Sequence, residues 1–87
     1  MEITHVVCIP FQKDLGSCKA YVGFVIDDAI LLSNCLLVQH GDGVYHLRFP
    51  QVVTPYGISE IFHPLNNEAR DALTKAAVMT YEKEKQK

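Results

Sequence analysis

The stretch "IFHPLNNEAR", residues 61–70, decides the fold because it joins a strand-like segment to a helix-like one. A proline restrains the preceding residue to extended backbone, so Pro64 is expected to end the strand at His63. Asparagine is a favoured helix N-cap, so Asn66 or Asn67 is expected to begin the helix. We therefore predict that His63, Pro64 and Asn66 form a structural joint.

Downstream of this joint, the apolar residues follow a helical period. They fall at helical spacing, with Tyr81 one turn past Ala77: Ala69, Leu73, Ala76, Ala77 and Tyr81. Glu68 suits the positive end of the helix dipole. The helix is expected to extend to about Glu84, and the alternating charges of residues 81–87 predict a frayed end.

Upstream of the joint, the composition is that of strands. β-Branched and aromatic residues are frequent in five segments separated by turns: 3–9, 19–26, 29–38, 44–49 and 58–62. Pro10 is predicted to end the first strand before a polar loop at 11–17. Asp27 and Asp28 are predicted to form a two-residue hairpin turn, and residues 54–57 suit a type I turn. The third segment is almost continuously apolar, which predicts burial on both faces or a partner chain against it.

These elements predict an α+β fold, in which an antiparallel β-sheet of about five strands is followed by one C-terminal helix packed on the sheet. With 87 residues, the chain has the size of one domain, and residues 1–87 are expected to form it. Association is one way in which chains this small gain stability, so the size favours a homodimer.

The composition argues against several classes of function. The net charge of −2 lacks the basic excess of a typical nucleic-acid-binding domain. Cys8, Cys18 and Cys35 are odd in number and widely spaced, so no disulfide framework is expected. The chain shows neither a signal peptide nor an apolar run long enough to span a bilayer, which predicts a cytoplasmic protein without membrane contact.

His63 is the first candidate for a catalytic residue, but the sequence supplies it with no clear partner. Glu60 lies three residues earlier, and in an extended strand it is not expected near His63. Asp27 and Asp28 are better explained as a solvated hairpin tip than as an acid–base pair. The four histidines and three cysteines lack the close pair spacing of a zinc site. We therefore predict no catalytic residue, no metal site and no cofactor.

A nucleic-acid-binding surface would have to come from few basic residues. Five precede the charged tail: Lys13, Lys19, Arg48, Arg70 and Lys75. A specific binder often makes about 6–10 phosphate contacts, so a monomer supplies too few and only a dimer would bring enough.

The ordered set of motifs resembles the SpoVG family (stage V sporulation protein G and its relatives). That family shows a Thr-Pro-Asp-Gly turn, a strand ending in His-Pro-Ile-Asn, and a helix with an early Arg and a late Tyr. The matching or nearly matching positions are Thr54, Pro55, Gly57, Ile61, His63, Pro64, Leu65, Asn66, Arg70, Ala76 and Tyr81. The resemblance implies a homodimeric, cytoplasmic bacterial regulator without catalysis, linked to septation and sporulation, with some members binding DNA or RNA.

The chain departs from the family where the family is basic. Gln51, Val52 and Val53 replace the usual Ser-Lys-Arg before the Thr-Pro turn, and Leu36 and Ala72 fall near two other basic positions. Two hypotheses follow. The first is DNA or RNA binding through Arg70, Lys75 and Arg48, weakened by the residues at 51–53. The alternative is a protein-interaction module that kept the fold and lost the nucleic-acid surface. A third hypothesis, an enzyme that uses His63, has less support.

Overall fold

The structure, a computed structural model, describes residues 2–85, with only the backbone for residues 13–15. Its elements are β1 (Ile3–Leu15), β2 (Cys18–Ile26), β3 (Ile30–Gln39), β4 (Tyr45–Arg48), β5 (Gln51–Thr54), β6 (Gly57–Glu60) and α1 (Asn67–Lys85). The strands β1 to β4 form one antiparallel sheet in chain order, and β5 pairs with β6 in a second, two-stranded sheet. The predicted α+β class is confirmed, and the described strands number six.

The first strand is longer than predicted. Pro10 does not end β1, which continues to Leu15 and turns back through Gly16, whose φ is 72°. The residue pair Pro10–Ala20 lies within the β1–β2 ladder. β1 is an edge strand of the sheet, and a proline is tolerated there because its missing N–H need not face a neighbouring strand. The predicted loop at 11–17 is therefore mostly strand, and this prediction was wrong.

The second sheet was not predicted as a unit. Val52 and Val53 belong to β5, whose residues pair with β6 from Gln51–Glu60 to Thr54–Gly57. The β6 strand ends at Glu60, two residues before the predicted end. Beyond it, the Ile61 N–H donates to the Pro50 carbonyl over 2.7 Å. The two-stranded sheet is thus closed at its base before the chain enters the joint.

The turn between β2 and β3 agrees with the prediction. Asp27 and Asp28 have φ values of 53° and 52°, the two positive values of a type I′ hairpin turn. The Ala29 N–H closes the turn on the Ile26 carbonyl over 2.9 Å. The Asp27 carboxylate also accepts the backbone N–H of Glu2 over 2.8 Å, which ties the turn to the start of the chain.

The core lies between one face of the four-stranded sheet and α1. Alternate residues of the strands supply most of it, because successive side chains in a strand point to opposite faces. The buried cluster contains Ala20, Val22, Phe24, Ile26, Cys35, Leu37, Leu47, Phe49, Leu73 and Ala77. The helix therefore closes the core on one side of the sheet, as predicted.

The opposite face of the sheet has no such cover within residues 2–85. Leu31, on β3, is 61% exposed, whereas Leu37 on the core side is fully buried. The prediction that β3 is buried on both faces was wrong, and its alternative, a partner chain against the strand, stays a prediction. Over the same residues, no helix is long and apolar enough to cross a membrane.

Candidate interaction surface

The joint at residues 61–70 is built from local contacts. The Asn66 side-chain oxygen accepts the Ala69 N–H over 2.7 Å, which is the N-cap interaction expected of an asparagine. Glu60 lies close to His63, with 3.8 Å between Glu60 Oε1 and His63 Nδ1. The prediction that these two residues are apart was wrong, because the strand ends at Glu60 and the chain bends before His63.

The surroundings of His63 offer little for catalysis. An open cleft of about 600 Å³ runs along His63, Pro64, Leu65, Asn66, Glu68, Ala69 and Ala72. Its titratable side chains are His63 and Glu68, and both residues are exposed to solvent. The pair that His63 forms with the partly exposed Glu60, at 3.8 Å, is a weak surface interaction. The geometry suits a joint between strand and helix better than a reaction centre.

The three basic residues predicted to contact nucleic acid do not form one patch. The guanidinium of Arg70 lies over the buried ring of Phe49, 5.6 Å from its centroid. Arg48 follows the buried Leu47 on β4, so its side chain points to the side of the sheet opposite the core. Lys75 is exposed two residues beyond the buried Leu73, on the far side of the helix from the core.

Potential metal ligands are also dispersed. Residues 2–85 contain no group of three or more His, Cys, Asp or Glu side chains arranged to hold a metal ion. His40, directly after β3, and His46, on β4, have ring centroids 4.9 Å apart and form a tilted aromatic pair.

The cysteines are free thiols that differ in burial. Cys35 is fully buried in the core, and this burial raises its pKa to about 11. Burial, with a smaller effect of the Glu84 carboxylate, raises the pKa of Cys8 to about 11 as well. Both groups are therefore thiols, not thiolates, at neutral pH, which makes them poor nucleophiles and poor metal ligands.

The end of the helix is held by a polar cluster. The Tyr45 hydroxyl donates to Glu82 Oε1 over 3.0 Å, and Lys85 Nζ lies 3.1 Å from Glu82 Oε2. Tyr45 and Tyr81 also meet edge to face, with centroids 6.1 Å apart. These contacts hold α1 as far as Lys85. Fraying of residues 81–85 in solution stays a prediction, and residues 86–87 lie outside the described part of the chain.

One exposed apolar feature is the β5–β6 hairpin, residues 51–60, which we call the arm. Val53 and Ile58 face each other across its two strands and are 81% and 70% exposed, and Tyr56 at its turn is fully exposed. No residue of the arm belongs to the core cluster or to the side chains packed against it. The first nine residues of the arm, up to Ser59, carry no charge.

Sequence reasoning found part of this feature. It identified residues 51–53 as the place where the family's basic residues are missing. It did not recognise a strand there, so the apolar contribution of Tyr56 and Ile58 was missed. The signal was present, since two β-branched residues precede a Pro–Gly turn that leads into another strand.

A second apolar feature lies on the uncovered side of the four-stranded sheet, and we call it the open patch. It consists of Val7 and Ile9 on β1, Tyr21 and Gly23 on β2, and Leu31 on β3. Ser33 and Asn34 oppose Gly23 in a β-bulge, in which Asn34 has a φ of 68°. These residues border a shallow depression of about 160 Å³, and none of its lining residues is charged.

The described residues thus present two apolar surfaces and no group of three or more side chains arranged to hold a metal ion. Exposed apolar patches on a small protein mark sites of association, because their burial releases water and is favourable. Arrangements of this kind can bind another polypeptide, and nothing in their chemistry activates a nucleophile or stabilises a transition state.

Comparisons with known proteins agree with the motif resemblance. A family model described as SpoVG matches residues 1–83. A relative from Treponema denticola is 33% identical over 83 residues, which cover 95% of this chain and 88% of that protein. A relative from Caldanaerobacter subterraneus is 31% identical over 87 residues, covering 99% of this chain and 93% of the relative. Both relatives carry the name "Putative septation protein SpoVG". The chain belongs to the SpoVG family.

Proposed function

We propose that this chain is a non-enzymatic, cytoplasmic regulatory protein that acts as a homodimer through protein–protein contacts. By analogy with the names of its relatives, its process is the control of septation. The arm is the observation that carries the proposal. Where the family resemblance implies basic residues, the chain has Gln51, Val52 and Val53, and the two valines lie on an exposed apolar hairpin.

Electrostatics support protein contacts over nucleic-acid contacts. The net charge is −2, and the basic residues Arg48, Arg70 and Lys75 come from β4 and from two positions of α1. Phosphate binding requires several cations on one surface, because affinity comes from the release of counterions along the backbone. The arm instead offers Val53, Tyr56 and Ile58, which are residues that gain free energy by leaving water.

Nucleic-acid binding through Arg70, Lys75 and Arg48 is the second candidate. One observation favours it, namely that Arg70 is exposed while its guanidinium is oriented over the Phe49 ring. An arginine held in this way loses less side-chain entropy when it binds a phosphate. In a homodimer, two such arginines would be available.

Titration of DNA and RNA at two salt concentrations tests the two candidates against each other. We expect little binding at low salt, and an affinity that changes only slightly when Arg70 and Lys75 are replaced together by Gln. A matched control replaces Lys83, an exposed lysine near the helix end, by Gln. Two results together would favour the second candidate. The logarithm of the association constant would fall linearly with the logarithm of the salt concentration, with a slope of about −0.9 per phosphate contact. Binding would be lost in the double variant and retained in the Lys83 variant.

The oligomeric state is tested by light scattering. We expect a particle of twice the 9.8 kDa chain mass at micromolar concentration. A particle of 9.8 kDa over the whole accessible concentration range would remove the homodimer from the proposal.

A further inference from the structure

We propose that His40 and His46 form a surface site for one divalent ion of the late transition series, such as Zn²⁺, Ni²⁺ or Cu²⁺. The two imidazoles are the protein ligands, and water fills the remaining positions around the ion. His40 directly follows β3 and His46 lies on β4, so the two residues come together across the β3–β4 turn. The site goes beyond the proposed function and does not depend on it, because neither residue belongs to the arm or to the open patch.

The separation of the two rings is the observation that carries the proposal. The ring centroids of His40 and His46 are 4.9 Å apart. An ion bonded to a ring nitrogen at about 2.0–2.1 Å lies about 3.2 Å from the centroid of that ring, so two imidazoles at neighbouring positions of a tetrahedral or octahedral ion have centroids about 4.5–5.2 Å apart. The observed distance falls within this range, so the two rings need little displacement to share an ion.

The angle between the rings also suits a shared ion. The two ring planes are tilted by 55°. The lone pair of an imidazole nitrogen lies in the plane of its ring, and two planes at this angle intersect along a line on which one ion can bind both rings. Rings in a parallel stack have no such line. Both side chains are exposed, so rotation about their side-chain bonds can turn a nitrogen of each ring toward the ion.

The backbone holds the two histidines in position. His46 lies opposite Val38 in the β3–β4 ladder. The His40 N–H donates to the Val44 carbonyl over 3.2 Å, and the Gly43 N–H donates to the His40 carbonyl over 2.9 Å. Ligands that are already ordered lose less conformational entropy when they bind, so this arrangement favours chelation by both rings together.

The chemistry of the two ligands selects the class of ion. Neutral imidazole suits zinc, copper and nickel, whereas magnesium and calcium prefer oxygen ligands. Structural and catalytic zinc sites have four or three protein ligands, and residues 2–85 hold no group of that size. The pair is therefore not a zinc site of the kind that the sequence argues against. It is a two-ligand site that exchanges its ion with solvent and leaves positions open for other ligands.

The charged side chains near the pair are compatible with a bound cation. Arg48 lies two residues beyond His46 on the same side of β4, which is about 7 Å along the strand. Arg48 is exposed, and two positive charges separated by water at such a distance repel each other weakly. Asp42, which is exposed in the turn between the two histidines, contributes a charge of the opposite sign.

Titration of the tag-free protein with Zn²⁺ alone, measured by isothermal calorimetry, tests the site. Zn²⁺ has no redox chemistry and therefore does not oxidise the free thiols. We expect one ion per chain. His40→Asn and His46→Asn should each raise the dissociation constant at least about tenfold, since even the loss of a group that only orients a metal ligand typically costs about 10- to 100-fold. Both residues are exposed, so the variants should keep the wild-type circular dichroism spectrum.

Two matched variants control the titration. His5→Asn removes an exposed histidine on β1, and Cys18→Ala removes a partly buried thiol at the start of β2. Both should bind Zn²⁺ as the wild type does. Wild-type affinity in His40→Asn and His46→Asn would overturn the proposal, and so would a wild-type chain that binds no Zn²⁺. An equal loss of affinity in either control variant would place the ion elsewhere and would overturn it as well.

Thermal denaturation distinguishes a metal site from two rings that only pack against each other. An ion that binds the folded chain and not the unfolded chain raises the midpoint of unfolding as its concentration rises. We expect Zn²⁺ to raise the midpoint of the wild type and of His5→Asn, and to leave that of the double variant His40→Asn/His46→Asn unchanged. A wild-type midpoint that does not respond to Zn²⁺, or an equal response in the double variant, would overturn the proposal.

Discussion

At the scale of single residues, the caps and turns of this chain decide where its elements begin and end. Asn66 accepts the Ala69 N–H at the start of α1, and Asp27 accepts the Glu2 N–H beside the β2–β3 turn. Each of these side chains satisfies a backbone group that would otherwise depend on water. Loss of one such side chain leaves a backbone N–H without its acceptor, so single substitutions can test these residues directly.

Removal of the helix cap should destabilise the protein. Asn66→Ala is expected to lower the free energy of unfolding by about 1 kcal/mol, because the Ala69 N–H loses its acceptor. Asn67→Ala, at the next residue, which is also exposed, is the control and should have a much smaller effect. Urea denaturation followed by circular dichroism measures both. Equal losses in the two variants would contradict the assignment of Asn66 as the cap.

Replacement of Asp28 by glycine should stabilise the protein, because it removes backbone strain at this position. Its φ of 52° is costly for a residue with a Cβ atom and is readily adopted by glycine. Asp28→Gly is expected to raise the free energy of unfolding by about 0.5–1 kcal/mol, since its N–H can still donate to Thr4. Asp27→Gly also removes the carboxylate that accepts the Glu2 N–H, so thermal denaturation should show a smaller gain or a loss for that variant.

At the scale of elements, the contact of β4 with the end of α1 has a defined pH dependence. Hydrogen bonds from Lys85 and from the Tyr45 hydroxyl lower the pKa of Glu82 below its ordinary 4.5. A carboxyl whose pKa is lowered by folding stabilises the protein above its unfolded value, and this contribution disappears as the pH falls through the folded value. Burial, followed by the bond to Glu82, raises the pKa of Tyr45 above 10.0, so its contribution is present below pH 10 and disappears as the pH rises further.

Glu82→Gln should therefore lower the free energy of unfolding at neutral pH, and it should lower it by a smaller amount at acidic pH. We expect the difference in unfolding free energy between wild type and variant to shrink as the pH falls below 4.5. Urea denaturation at a series of pH values measures it. Tyr45→Phe is the companion variant, and it should abolish the alkaline loss of stability attributed to Tyr45. A difference for Glu82→Gln that does not change between neutral and acidic pH would contradict the proposed linkage.

At the scale of the whole molecule, stability depends on one small core that α1 completes. Leu73 is 5% exposed and lies against the sheet, and the helix presents few other large buried side chains. Leu73→Ala is expected to lower the free energy of unfolding by about 2–5 kcal/mol, which is a large part of the total for a domain of this size. Met79→Ala on the exposed side of the helix should cost less than about 1 kcal/mol. Thermal denaturation of both variants measures the contrast.

The success of sequence reasoning varied with the range of the interactions involved. Local signals predicted the Asp27–Asp28 turn, the strands before it and after it, and a helix cap at Asn66 or Asn67, because these depend on neighbours along the chain. The prediction that Pro10 ends the first strand failed, because a proline is tolerated within a strand that lies at the edge of the sheet, and the sequence does not say which strand does. It also failed for Glu60 and His63, whose proximity follows from a bend that no residue preference required.

The candidate site was predicted in the same uneven way. The sequence identified residues 51–53 as unusual for the family and offered protein interaction as an alternative. That these residues form an arm together with Tyr56 and Ile58 became clear only from the pairing of β5 with β6, which the structure shows. The open patch could not be identified before the sheet order was known, because its residues come from three strands.

The sequence by itself determined the α+β class, the single C-terminal helix and the family, since each rests on local periodicity or on motifs in a fixed order. Only the tertiary structure decided which apolar residues remain outside the core. The helix covers one face of the sheet, so Leu37 is buried while Leu31 and the arm are exposed. Hydrophobicity along a chain predicts that such residues favour burial, whereas the packing of elements in space determines which of them achieve it within the monomer.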